Sequence, residues 1–170
     1  HNSVVGCGRP KGTHTTTDPS AGTHGKQKQD KTMTDETVKE PINAHKVAET
    51  ERMKVMPALF GMRFAQVEQT VYQLMDRLCS AYQGGQWELY TLSNSSFYMA
   101  PRRADKLLIE WDGNGFTGEM SADAAGIVAC LFTYSALSFQ GCETCGDMYH
   151  LLLDYAEQHP EASLIFSAID

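Results

Sequence analysis

The chain has 170 residues, 42% hydrophobic and 21% charged, with a formal net charge of −7. That length holds one core of respectable size and excludes two ordinary domains. An acidic chain is repelled by nucleic-acid phosphates at long range and attracted to basic clefts, which favours a protein partner over a nucleic-acid one.

Residues 1–32 are mostly Gly, Thr, Lys, His and Pro around Val4, Val5 and Cys7. Such a composition cannot bury enough surface to fold. Arg9, Lys11, Lys26, Lys28 and Lys31 against Asp18 and Asp30 give the segment a net +3, so the rest carries −10 of the total −7. Met33, followed by Thr34, Asp35 and Glu36, reads as a natural start. Residues 1–32 are therefore expected to be a disordered leader or an expression-derived segment, with a basic arm that touches nucleic acid as the alternative. No apolar stretch marks a signal peptide in the first twenty residues, so the expected location is the cytoplasm. The odd set Cys7, Cys79, Cys130, Cys142 and Cys145 fits reduced thiols there.

Residues 33–51 are polar, with Pro41 early, and predict a partly ordered extension in which a helix begins near Ala44; firm order is expected from about Arg52. Residues 52–170 form the single expected domain. Over 63–80, Phe64, Val67, Val71, Leu74, Met75 and Leu78 recur at helical spacing, and Gly84 and Gly85 stop the helix. The segments 87–92 and 96–100 are aromatic-rich and read as a hairpin around Asn94, closed by Pro101. Alternation over 106–111, the turn at Asp112 to Gly115 and the partner 116–120 complete a four-stranded, mostly antiparallel meander.

Ser121 and Asp123 are placed to cap a helix running to about Phe139. No charge occurs from Ala124 to Cys142, but Gly126, Thr133, Ser135, Ser138 and Gln140 interrupt the stretch, and no Lys or Arg flanks it closely. A central buried helix is expected rather than a membrane span. Helices over 146–158 and 160–168 end the chain. The order helix, strands, helices predicts an α+β fold with a small sheet packed on several helices.

Chemistry is sparse. Cys142 and Cys145 have the spacing of a redox dithiol or half a zinc site, yet no second pair completes a metal site, and a long helix is expected before them rather than the strand that a thioredoxin-like motif follows. No metal or cofactor is expected. Glu119, Asp123 and His150 are the one carboxylate and imidazole set suited to hydrolysis. No nucleophile elbow, phosphate loop, dinucleotide fingerprint or HExxH motif occurs. On the penultimate helix Asp147, His150, Asp154 and Glu157 recur at spacings of three and four, after Glu143. That face is either simply solvated or a substitute for phosphates toward a basic partner, with Glu143, Asp147, Asp154 and Glu157 as candidate partner-binding residues. Arg102, Arg103 and Lys106, near Tyr90, Phe97 and Tyr98, are the alternative as DNA contacts.

Several blocks carry a family resemblance: 75–78; 82–85 with Trp87; 92–94 with 97–101; 118–131; and Tyr149, His150, 154–156, 159–162, Ile169 and Asp170. In this order they resemble the ArdB/KlcA antirestriction proteins over most of residues 52–170. Ser95 and Ser96 depart from the pattern, standing where glycines are expected in relatives, and the Cys pair lies outside it. The resemblance implies protection of incoming plasmid or other mobile-element DNA from host type I restriction enzymes. It implies an inhibitor and not an enzyme, acting on the type I restriction-modification complex directly or indirectly, without a membrane.

Overall fold

The structure, a computed structural model, describes residues 38–170; the expected leader 1–32 and its boundary at Met33 lie outside the described residues. The elements are β1 (Ala44–Lys46), α1 (Arg52–Phe60), α2 (Phe64–Leu78), β2 (Trp87–Leu92), β3 (Phe97–Pro101), β4 (Leu107–Trp111), β5 (Phe116–Met120), α3 (Ala122–Phe139), α4 (Glu143–Glu157) and α5 (Ala162–Ile169). The fold is α+β, as expected, with one strand ahead of the first helix.

That strand corrects the reading of the extension. Ala44 starts β1 and no helix, because residues 44–46 pair antiparallel with β2, Ala44 opposite Leu92 and Lys46 opposite Tyr90. Ladder hydrogen bonds from β2 outweigh the weak helical pattern there. The segment is tied down before Arg52: the Gln158 side chain accepts from the Ile42 N–H at 2.8 Å and donates to the Ile42 carbonyl.

The expected four-stranded meander is two sheets, ordered β1-β2-β3 and β4-β5. β2 and β3 pair from Trp87 opposite Pro101 to Thr91 opposite Phe97, and β4 and β5 from Leu107 opposite Met120 to Trp111 opposite Phe116. No ladder joins β3 to β4. On the free edge of β3 the Met99 N–H goes to the Cys130 sulfur of α3 at 3.4 Å and Pro101 offers no N–H, while β1 takes the open side of β2. At the β2–β3 turn the left-handed residue is Ser95, at φ 71°, rather than Asn94. Asn94 instead accepts from the Ser96 N–H at 3.2 Å and donates to the Leu151 carbonyl at 2.8 Å.

α2 presents Val67, Val71, Met75 and Leu78 to the interior, each worth about 1.5–3 kcal/mol of burial. α3 packs against α2, α4, α5 and β3, so it is buried on nearly every side, which explains the absence of charge after Asp123 in its first turn. It is long and apolar enough to cross a membrane by length and composition alone, but two thirds of it is buried within the fold. The last helices start differently from expectation. α4 begins at Glu143, because the Cys142 sulfur accepts from the Cys145 N–H at 3.4 Å and caps it. α5 begins at Ala162, leaving Pro160 in the turn.

Candidate functional site

Gly126 brings the first turns of α3 directly onto β3: a Cβ there would lie 2.5 Å from both the Met99 carbonyl oxygen and the Ala100 Cβ. Ser121 caps the helix, its hydroxyl accepting from the Ala124 N–H at 3.1 Å. The Glu161 carboxylate accepts from the Ser121 N–H at 2.9 Å and from the Ser121 hydroxyl, locking the start of α5 to the start of α3. Negative charge is favoured at that helix end.

Asp123, in this first turn, is not the cap. Its Oδ1 accepts from the Tyr98 hydroxyl at 2.8 Å and its Oδ2 from His159 Nε2 at 2.9 Å. His159 Nδ1 accepts from the Glu161 N–H at 3.0 Å, which assigns the ring proton to Nε2. The His159 side chain is 6% exposed and that of Asp123 38%, so a buried imidazole orients a carboxylate that still meets solvent. Tyr98 stacks on Tyr90 (centroids 4.8 Å, 12°) and on Tyr155 (5.7 Å, 26°). Burial, and then the Asp123 charge, push the Tyr98 phenol well above its ordinary range, so it stays a donor.

Two residues from Tyr90, on the same face of β2, Glu88 is buried among cations. Lys46 Nζ is 2.9 Å from its Oε1, and Arg102 Nε donates to the same oxygen. Oε2 faces Arg52 Nη1 at 3.9 Å, and among the described residues these two atoms have no hydrogen-bond partner. The hydrogen bond from Arg102 holds the Glu88 carboxyl below its usual pKa, against the opposing effect of burial. Between this face, the first turn of α3 and residues 102–104 lies a cleft of about 380 Å³, lined by Lys46, Glu88, Tyr90, Arg102, Arg103 and Asp123 over a floor of small residues.

The set Glu119, Asp123 and His150 is not brought together. Glu119 is exposed on β5 and His150 on the solvent side of α4, while the partners of Asp123 are Tyr98 and His159. Strand alternation and helical phase turn the first two to solvent. His159 was visible only inside the 159–162 block of the resemblance, and spacing alone offers no signal for it.

The acidic stripe of α4 exists as one face: Glu143, Asp147, His150 and Glu157 are exposed and Asp154 half-buried, opposite buried Cys145, Met148, Leu152 and Ala156. Lys39 Nζ lies 3.3 Å from Asp154 and 3.6 Å from Glu157. Among the described residues, Glu143 and Asp147 form no ion pair. Of the basic cluster, Arg102 meets Glu88, Gln86 (2.9 Å) and Glu49 (3.2 Å), and Arg103 meets Asp105 at 2.7 and 3.0 Å. Lys106 is exposed; Phe97 and Tyr98 are buried.

The Cys pair sits at the N-terminus of α4 with the long helix α3 before it, as expected, and the chain breaks between the two helices at Gly141 (φ +83°). Both thiols are buried and, among the described residues, form no disulfide. Burial, reinforced by the hydrogen bond with Cys142, pushes Cys145 up to about 12, far from a reactive thiolate.

The profile of a family described as antirestriction protein matches residues 80–170. An antirestriction protein KlcA of Escherichia coli is 48% identical over 146 residues, covering 81% of this chain and 100% of its own. A second KlcA of Escherichia coli is 46% identical over 79% of this chain and 99% of its own. A solved structure is similar at a TM-score of 0.74 and 45% identity, over 79% of this chain and 99% of the other. It comes from work describing KlcA and ArdB as having a novel fold and antirestriction activity against type I DNA restriction systems in vivo but not in vitro.

Proposed function

The chain belongs to the antirestriction protein family, and from that premise we propose that it protects incoming plasmid or other mobile-element DNA in the cytoplasm by inhibiting type I restriction. The observation that carries this reading is the match along essentially the whole length of KlcA proteins, at 46–48% identity. It acts as a binding protein rather than an enzyme, a reading supported by the separation of Glu119 and His150 from Asp123. Plating efficiency of phage on cells with and without a type I system, each with and without the protein, tests the function. Protection confined to the restricting cells is expected; equal plating with and without the protein overturns it.

The partner surface we assign is the acidic face of α4, where Glu143, Asp147, Asp154 and Glu157 align. Aligned carboxylates on a rigid helix offer a basic cleft the charge pattern of a nucleic-acid backbone. Neutralising all four to Gln or Asn is expected to abolish protection while the circular dichroism spectrum is kept. Full protection by the folded variant removes this surface.

A second reading, interference by an indirect route, is favoured by one finding: the activity described for KlcA and ArdB occurs in vivo but not in vitro. That pattern fits a route that needs another cellular component. Direct DNA contact through Arg102, Arg103 and Lys106, which needs no such component, is a separate alternative. Two of these three cations are paired with exposed carboxylates, Arg102 with Glu49 and Arg103 with Asp105, which a phosphate would have to displace.

A further inference from the structure

The cleft beside Asp123 is chemically the reverse of the acidic helix face. In a chain of net charge −7, three cations line it, Lys46, Arg102 and Arg103. Of its two carboxylates, Glu88 is buried and occupied by Lys46 and Arg102. Arg103 is held by exposed Asp105, and Arg102 Nη2 by exposed Glu49. Surface pairs of this kind are worth little and exchange readily for a stronger anion. A phosphate, with its charge spread over several acceptor oxygens, is such an anion.

The opposite wall has different chemistry. Asp123 is anchored from behind, one oxygen by Tyr98 and the other by His159. Each oxygen keeps a lone pair, and the carboxylate is 38% exposed, so it offers an oriented acceptor to N–H donors. Tyr90 is the terminal ring of the tyrosine stack and lines the same space. An aromatic ring at that position is a platform for a planar group. The volume of about 380 Å³ lies within the range of small-ligand sites.

We propose that this cleft holds a nucleotide unit, with its phosphate on Lys46, Arg102 and Arg103, its base against Tyr90, and the N–H donors of the base on Asp123. The unit is either a free nucleotide or part of a single strand. This assignment stands independently of the acidic-face reading.

The test is calorimetric titration of the full chain at low salt with deoxyadenosine monophosphate, inorganic phosphate and a single-stranded oligodeoxyadenylate. The nucleotide or the oligonucleotide is expected to bind, and the exposed double variant Lys46→Ala/Arg103→Ala to weaken it by about tenfold or more. Tyr90→Leu is expected to weaken nucleotide binding while leaving inorganic phosphate unchanged. Binding of the monophosphate identifies a free nucleotide as sufficient; binding of the oligonucleotide alone identifies the strand as the source. The proposal is overturned if neither binds, if inorganic phosphate binds as tightly as the nucleotide, or if the folded double variant keeps wild-type affinity.

Discussion

Gly126 and Ala100 touch where α3 crosses β3, so closely that a side chain on the glycine would overlap Ala100 Cβ at 2.5 Å. The Met99 carbonyl oxygen, at the same distance, is backbone and cannot swing aside. This contact sets the height of α3 above the sheet and hence the reach from Asp123 to Tyr98. Gly126→Ala gains up to about 1 kcal/mol of helix propensity but must part helix from strand, with a net loss expected at about 2–3 kcal/mol or more. Urea denaturation checks it; an unchanged midpoint would show that the contact is not tight.

Ser95 occupies a left-handed position at φ 71° in the β2–β3 turn. A type I turn followed by a left-handed residue is the usual three-residue hairpin, and glycine meets its geometry without steric cost. Ser95→Gly is expected to raise stability by roughly 0.5–1 kcal/mol, relief of strain outweighing the added freedom of the unfolded chain. Thermal melting measures it, and a lower Tm contradicts the account.

Glu88 ties β1, the start of α1 and the residue just after β3 together through Lys46, Arg52 and Arg102. Its folded pKa lies below the ordinary value of 4.5, chiefly through Arg102. The stabilisation is therefore fully present above pH 4.5 and is lost as pH falls through the lower folded value. Glu88→Gln is expected to cost about 1–2 kcal/mol at pH 7, since its cation partners are partly solvated. The difference from the parent should shrink toward the acid end, as read from urea midpoints across pH; a difference independent of pH would assign the loss to packing instead.

The Cys142 and Cys145 thiols are expected to resist alkylation in the folded protein. Both are buried, and with Cys145 raised to about 12 its own thiolate fraction at pH 8 is small. Mass mapping after brief iodoacetamide treatment, with and without denaturant, reads this directly. Rapid labelling of Cys145 in the native state would reopen a redox role.

Local pattern determined much of this protein. The period of Val67, Val71, Met75 and Leu78 specified α2, the alternation around Ile109 specified β4, and the uncharged run after Asp123 specified a core helix, because each reports which side of one element meets water. The stripe of carboxylates on α4 was legible for the same reason. The division into two sheets was not, since pairing partners are chosen by whole-chain geometry: β1 takes the open side of β2, and the other edge of β3 gives its Met99 N–H to the Cys130 sulfur of α3. Nor was the bond from His159 to Asp123, which joins residues 36 apart in sequence and exists because α5 folds back on the start of α3. The fates of Arg102 and Arg103 belonged likewise to the tertiary structure. A sequence counts their charges, but only packing decides which carboxylates stand beside them, and therefore how much charge is left for a partner.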